Sequence, residues 1–336
     1  MGRANGFSGC QAIGLVALLA GTALAEGVTP SPSELEALAS LKGRLAGLVV
    51  WESNRTGSWE LYAMNADGTG ACQLTQLAGA EGSTYKAYLR PQISPDGSTV
   101  LFAYGPRDSA PECWLVPIEG GRARRLCAGL PLNWSPDGKL VYLLRGFVVW
   151  GCDPATGQEQ AVSEVKTPVE GKSGGTVGAI SPSLELVALR TLRAVEVFSL
   201  AEGKTVKGLG GCEPRFSADG RVVYWVHDGS DFRAWEVETG VESQLPGPLG
   251  VEPYTYAYFP TVSADGRWIV YAASPGQHDH ETSDYEVFVQ ELADWKPSGS
   301  AVRLTFDGHT DRWPNLWVDP SGVGNPLPDG PYDGAG

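Results

Sequence analysis

The chain has 336 residues, with 25 basic and 39 acidic side chains and a formal net charge of −14. A surface of this sign repels nucleic-acid phosphates and anionic lipid headgroups. The composition therefore argues against nucleic acid and against membrane surfaces as partners.

The first 25 residues have the pattern of a secretory signal peptide. Arg3 gives a short positive region, residues 12–20 form an apolar core, and Ala23-Leu24-Ala25 is a small-residue cleavage site. The apolar stretch is too short to span a bilayer, which argues against an uncleaved anchor, and no later segment resembles a membrane span. We therefore expect a mature chain that begins near Glu26, is periplasmic or secreted, and is not inserted in a membrane.

One amphipathic helix is predicted before the main domain, within a linker of residues 26–46. Over residues 31–45, Leu35, Leu38, Leu41 and Leu45 recur at steps of three and four. Ser33 is the candidate N-cap. We expect this helix to pack on the rim or the end of the domain that follows.

A turn motif then sets the architecture. Ser94-Pro95-Asp96-Gly97 recurs at starts 36 to 46 residues apart, a spacing typical of blade repeats. Proline presets the backbone angle of a type I turn, aspartate favours turns, and glycine suits the last position. A second intact copy begins at Ser135, and copies with alanine in place of proline begin at Ser217 and Ser263. A worn copy lies at residues 181–183 and an altered one at 318–322.

Each repeat contains four short apolar runs, which is the content of one propeller blade. The region before the first full repeat has only three runs, within residues 47–75, and residues 313–318 supply a fourth. The sequence therefore predicts an all-β fold over residues 47–320. It is a six-bladed β-propeller of four-stranded antiparallel blades, closed by the C-terminal strand completing the first blade. Residues 321–336, rich in Gly, Pro and Asp, are predicted to be a mobile tail.

Two segments resemble blades of the TolB-like family of WD-like β-propeller repeats. One runs from Trp51-Glu52-Ser53-Asn54-Arg55 through residues 60–68 to Gln73-Leu74-Thr75, and the other from residues 285–288 to Arg303-Leu304-Thr305. The resemblance covers roughly residues 46–320 and implies the propeller fold. TolB carries an α/β domain ahead of its propeller, and residues 26–46 are too few for one, so only the fold is carried over.

Five cysteines follow the predicted cleavage site. Cys113 and Cys127 face each other if a hairpin turns at residues 119–121, so this is the favoured disulfide. The odd number leaves at least one thiol without a partner in the chain. No CxxC spacing indicates a zinc or redox site.

The longer loops all fall on one face of the predicted ring, apart from residues 291–300, and long loops on a rigid scaffold are where ligands bind. Residues just before the first strand of a blade line the channel entrance there. Tyr254, Tyr256 and Tyr258 stand at alternate positions, so their side chains point to one side if the segment is extended. Packing of the three rings within the rim of the domain is an equal alternative to ligand binding. The predicted ligand-binding residues are Arg90, Glu213, Tyr254, Tyr256, Tyr258, Asp311 and Arg312.

All four histidines, including His227, also belong to this face. Imidazoles together with carboxylates suit manganese, zinc or iron. His278, His280 and His309 are the candidate metal ligands, and the alternative is a polar loop face in which they form local hydrogen bonds.

Two functions remain open. The first is an exported binding or scaffold protein, without catalysis or cofactor, that takes a protein, peptide or glycan on the long-loop face of the channel. The second is a metal-dependent propeller enzyme such as a polysaccharide lyase. Its histidine loops resemble, at the level of the fold, those of oligogalacturonate lyases, whose propellers have one more blade.

Overall fold

The computed structural model describes residues 29–77, 89–105, 111–164, 178–190, 194–229, 231–245, 252–276, 278–322 and 326–327. The predicted signal peptide lies outside these ranges, as does most of the predicted tail. Within the tail, Leu327 is buried and exchanges two hydrogen bonds of 3.0 Å with the Asn65 side chain. Over the residues described, no helix has the length and hydropathy needed to cross a bilayer.

The predicted helix is shorter and begins earlier than expected. Helix α1 spans Pro32–Ala39, and its N-cap is Ser31 rather than Ser33. Ser31 and Glu34 form a capping box, which satisfies two N–H groups at the helix start. The leucine pattern continues past the helix, and Leu41 and Leu45 are buried against the propeller.

Six antiparallel sheets form the blades, and each blade begins with its innermost strand. The first blade contains β25 (Asp311–Val318), β1 (Gly47–Ser53), β2 (Glu60–Asn65) and β3 (Cys72–Gln73). The second contains β4 (Gln92–Ile93), β5 (Thr99–Tyr104), β6 (Glu112–Pro117) and β7 (Arg124–Ala128). The third contains β8 (Leu130–Trp134), β9 (Val141–Arg145), β10 (Val148–Cys152) and β11 (Glu159–Glu164).

The fourth blade contains β12 (Gly178–Ile180), β13 (Leu186–Arg190), β14 (Val195–Ser199) and β15 (Lys204–Gly210). The fifth contains β16 (Cys212–Phe216), β17 (Val222–Val226), β18 (Phe232–Glu236) and β19 (Glu242–Leu245). The sixth contains β20 (Tyr256–Val262), β21 (Trp268–Ser274), β22 (Glu286–Ala293) and β24 (Val302–Arg303). The long connection in this blade is partly a hairpin, in which β23 (Lys296–Pro297) pairs with the end of β22.

The ring closes as the sequence predicts. Strand β25 pairs antiparallel with β1, and Val49 lies opposite Leu316. Neighbouring inner strands are further joined by side chains that bond to the next blade. The Asn315 Oδ1 accepts the Ile93 N–H at 2.9 Å, and the Asn133 Oδ1 accepts the Ile180 N–H at 2.9 Å. Such bonds fix each blade against the next near the axis.

The Ser-Pro-Asp-Gly turns share one hydrogen-bond pattern. In the first copy, Ser94 Oγ donates to Asp96 at 2.5 Å and accepts the Thr99 N–H at 3.0 Å. Gly97 takes a φ of +76°, which suits glycine. In the worn copy, Leu184 occupies the glycine position at a φ of +60°, so the turn survives the loss of the motif.

The core is divided among the contacts between blades. Within the described residues, six apolar clusters fill the six contacts around the ring. Four tryptophans that the sequence assigns to these layers are found there: Trp134 and Trp150 between the second and third blades, Trp225 between the fourth and fifth, and Trp268 between the sixth and first.

The predicted disulfide is wrong, although its register is right. Cys113 and Cys127 are direct cross-strand partners, yet both are free thiols, as are Cys152 and Cys212. Two residues further along this ladder, the Gly129 N–H donates to the Pro111 carbonyl. Hydrogen-bonded and non-hydrogen-bonded pairs alternate along an antiparallel ladder, so Cys113 and Cys127 form a hydrogen-bonded pair. Side chains in such pairs lie farther apart than a disulfide requires.

Candidate functional site

Four inner strands have the same unusual backbone within them or just before them. Arg90, Glu213, Phe259 and Trp313 have positive φ angles of 48°, 58°, 62° and 54°. A proline follows each of them in the sequence, and proline disfavours the right-handed helical region for the residue before it. Left-handed backbone at residues other than glycine is costly and concentrates at functional sites.

These four residues meet at the channel axis. The Arg90 guanidinium lies 4.6 Å from the Trp313 ring centroid, and the rings of Trp313 and Phe259 are 4.4 Å apart. The Glu213 Oε2 accepts the Phe259 N–H at 2.9 Å. Arg90 also acts electrostatically on Glu213, although the second and fifth blades lie on opposite sides of the ring. The contacts therefore reach across the channel.

A wall of rings continues from this point towards the surface. His280 lies 5.0 Å from Phe259 and 4.3 Å from Tyr258 between ring centroids. His278 lies 5.0 Å from Tyr258 and 6.5 Å from the exposed Tyr256. We call Arg90, Glu213, Tyr256, Tyr258, Phe259, His278, His280 and Trp313 the entrance cluster.

Two buried ring nitrogens of this cluster are unsatisfied. The Trp313 Nε1 and the His280 Nε2 have no hydrogen-bond partner among the residues described. Buried polar groups are nearly always paired with protein or water, so each exception needs an explanation. Here both atoms lie beneath the rings of the channel entrance, and neither is exposed to solvent.

Burial also changes the ionisation of the cluster. It raises the pKa of Glu213 to about 7, against the favourable hydrogen bond from Phe259 and the charge of Arg90. Burial lowers the pKa of His280 to about 4, so its imidazole is neutral at physiological pH. The entrance cluster therefore offers aromatic faces, one guanidinium and a carboxyl group that is half ionised near neutrality.

The other predicted ligand-binding residues are placed differently. Tyr254 does not join Tyr256 and Tyr258; it is buried, packs edge-on against Phe288 at 5.1 Å and lies under the Arg303 guanidinium. It precedes the first residue of β20, so strand alternation does not extend to it.

Asp311 and Arg312 are fully buried in ion pairs. Asp311 accepts from the Arg55 Nη2 at 2.9 Å, and burial raises its pKa to about 6. The Arg312 Nε donates to Glu52 at 2.5 Å, its guanidinium covers the Trp59 ring at 3.6 Å, and its Nη1 donates to the His280 carbonyl. Arg312 therefore supports the loop that carries the cluster histidines.

The three predicted metal ligands do not share one location. His278 and His280 are neighbours, with ring centroids 5.0 Å apart, whereas the His309 Nδ1 lies 2.9 Å from the Asp307 carbonyl oxygen. Within the described ranges, the His, Cys, Asp and Glu atoms that come within 4.8 Å of one another in a group of three belong to Cys127, Cys152 and Glu159. The histidine metal site remains a prediction without geometric support.

An open groove lies on the opposite face, beside the turn of the fifth blade. Its lining includes Asp219, Arg221, Glu236 and, from the β22–β23 hairpin, Trp295. Four of its nine lining residues are charged, and it lies away from the channel entrance.

Sequence reasoning missed Phe259 and Trp313, which form the centre of the cluster. The sequence pattern assigns Trp313 to the closing strand and Phe259 to the end of a long loop, and neither is charged. The signal was available: each stands directly before a proline, as Arg90 and Glu213 do.

No protein-family model and no curated protein matches the chain. Among solved structures, TolB from Acinetobacter baumannii matches with a TM-score of 0.52 and 15% identity, over 80% of this chain and 66% of that chain. The propeller domain of Cps50 (Swd1) from Myceliophteria thermophila matches with a TM-score of 0.41 and 11% identity, over 61% and 65%. A functionally unknown protein from Desulfotomaculum acetoxidans matches with a TM-score of 0.44 and 14% identity, over 78% and 84%. At these identities the TolB match shows a shared fold, a TolB-like six-bladed propeller, and no more.

Proposed function

We propose that this protein is an exported binding protein that takes a segment of a protein, a peptide or a glycan at the entrance cluster. A six-bladed propeller fits a binding or scaffold role, and the signal-like residues 1–25 support export to the periplasm or beyond. The observation that carries the proposal is the convergence of side chains on two unsatisfied buried atoms, the Trp313 Nε1 and the His280 Nε2.

The chemistry of the cluster favours recognition of a flat, polar ligand. Tyr256 is 36% exposed at its outer edge, and tyrosine supplies rigid contact area with a polar tip. Deeper in, the indole N–H donates, and a neutral imidazole can donate or accept. Sugar rings and extended peptides both present apolar faces beside hydrogen-bonding groups, which matches an aromatic surface beside an indole N–H and an imidazole.

The metal-dependent lyase is the less favoured function. It requires several ligand atoms around one ion, and His309 lies with Asp307 rather than with His278 and His280. No specific contact of the described residues supports it.

Binding is tested with defined probes and paired variants. Tryptophan fluorescence of the purified protein is followed during titration with soluble oligosaccharides, including oligogalacturonates, and with a library of extended peptides. A probe that binds the cluster should lose at least about fivefold in affinity with Tyr256→Ala, because loss of an aromatic hot-spot contact costs more than about 1 kcal/mol.

The matched control is Trp295→Ala, which removes an aromatic ring from the groove on the opposite face. This variant should bind every probe as the wild type does. If Trp295→Ala abolishes binding and Tyr256→Ala leaves it unchanged, the entrance cluster is not the site.

A further inference from the structure

Three buried thiols meet between the second and third blades. Cys113 and Cys127 lie opposite each other on β6 and β7, and Cys152 reaches the same apolar cluster from β10. Glu159 on β11 is the cross-strand partner of Cys152. The Cys127 Sγ, the Cys152 Sγ and one carboxylate oxygen of Glu159 all lie within 4.8 Å of one another.

Thiols alone would be ordinary core residues, since buried cysteine packs like a small apolar side chain. The carboxylate makes this cluster different. Glu159 is held by both nitrogens of the Arg145 fork, at 3.1 Å and 2.9 Å. Metal-binding carboxylates are commonly held by such second partners, and each oxygen keeps a further lone pair for an ion.

We propose that Cys127, Cys152 and Glu159 form a binding site for a thiophilic divalent cation, with Zn²⁺ as the natural ligand. Thiolates and carboxylates are both zinc ligands, and a site with three protein ligands leaves a fourth position for water. Their three negative charges are balanced by the ion together with the guanidinium of Arg145.

The geometry is close to what such an ion needs. Zinc–sulfur bonds of about 2.3 Å place two tetrahedral sulfur ligands roughly 3.8 Å apart, so the Cys127 and Cys152 sulfur atoms would close by at most about 1 Å. The Glu159 side chain is 27% exposed, which gives the ion a route from solvent and the carboxylate room to move. Cys113 is excluded from the ligand set, because its Sγ contacts the Gly129 carbonyl oxygen at 3.5 Å.

Ion binding must displace protons. Donation of the Cys127 S–H to Cys113, together with burial, raises the pKa of Cys127 far above its ordinary range, and burial raises the pKa of Cys152 to about 12. Both thiols are therefore protonated in the metal-free protein. Because ligands must be deprotonated, the apparent affinity should rise with pH. A bound ion would link two blades near their outer edge.

The test uses the full chain, reduced and dialysed against a chelator. Calorimetric titration with Zn²⁺ and ultraviolet absorbance during titration with Cd²⁺, which reports cadmium–thiolate bonds, should each show one equivalent. Cys127→Ser and Cys152→Ser should abolish both signals. Glu159→Gln, a surface change that leaves the core intact, should weaken Zn²⁺ binding by about tenfold or more.

Cys212→Ser is the control, because Cys212 is a free thiol in the fifth blade, outside the cluster. It should bind both ions as the wild type does. The proposal is overturned if Cd²⁺ gives no thiolate absorbance, if Glu159→Gln binds Zn²⁺ unchanged, or if the exported protein carries a Cys127–Cys152 disulfide.

Discussion

Glu213→Gln should stabilise the protein at alkaline pH and leave its stability at acidic pH unchanged. Glu213 is 6% exposed, and burial raises its pKa from the ordinary 4.5 to about 7. Between pH 4.5 and 7, Glu213 therefore stays protonated in the folded state while it loses its proton in the unfolded state. The free energy of unfolding falls as the pH rises through this range, because the unfolded state gains from an ionisation that burial disfavours in the folded state.

The size of this effect follows from the two pKa values. Their difference of about 2.5 corresponds to about 3 kcal/mol, at about 1.4 kcal/mol for each unit of pH. Glutamine keeps an oxygen that can accept the Phe259 N–H, and it has no proton to lose. The variant should therefore match the wild type near pH 4.5 and exceed it by up to about 3 kcal/mol at pH 8.

Urea unfolding of both proteins from pH 4.5 to 8.5 measures this difference directly. Other buried acids with raised pKa values, Glu286 and Asp311, are present in both proteins and cancel in the comparison. Parallel stability curves would refute the assigned ionisation. A variant that is less stable than the wild type at pH 8 would show that attraction to Arg90 outweighs burial.

Two further predictions compare matched sites by thermal or urea unfolding. Gly97→Ala should destabilise the protein more than Gly266→Ala. Both glycines have a φ near +75°, which costs alanine about 1 kcal/mol. At Gly97 the new carbon would lie within 3 Å of the Trp317 ring, whereas at Gly266 it would meet open space. Equal losses would mean that the ring yields freely. Arg55→Gln should cost about 3–5 kcal/mol, because it leaves two buried aspartates without their cation, whereas Arg267→Gln, in an exposed pair, should cost less than about 1 kcal/mol. A small loss at Arg55 would show that the aspartates take up protons instead.

The fold could be predicted because its turns are specified by interactions between residues that are close in the sequence. In the turns at Ser94 and Ser217, the serine hydroxyl donates to the aspartate and accepts a backbone N–H, and the glycine has a positive φ, so the motif marks a blade without tertiary information. The closing strand followed from counting, since the first blade lacked one strand and residues 313–318 offered it.

The site was predictable only in part. Arg90, Glu213, Tyr256 and Tyr258 were found from their place before or in an inner strand, and they do lie near one another. Convergence across the ring depends on blade orientation, which no local pattern encodes. Asp311 and Arg312 were chosen for their charge, and their burial in ion pairs depends on partners about 256 and 260 positions away in the sequence.

Separation along the sequence also explains why only one of the cysteine contacts could be predicted. Cys113 and Cys127 were paired by register, which the hairpin sets locally. The contact of Cys127 with Cys152 and Glu159 is between blades, and only the assembled ring brings it about.

The pairing of β1 with β25 has a consequence for the order of folding during synthesis. Val49 leaves the ribosome long before its partner Leu316 is made. Until then, the hydrogen-bonding groups along one side of β1 stay unsatisfied and open to other growing chains. Contacts of such long sequence separation form slowly, so a chaperone that shields this strand would have more influence on yield than any stabilisation of the finished ring.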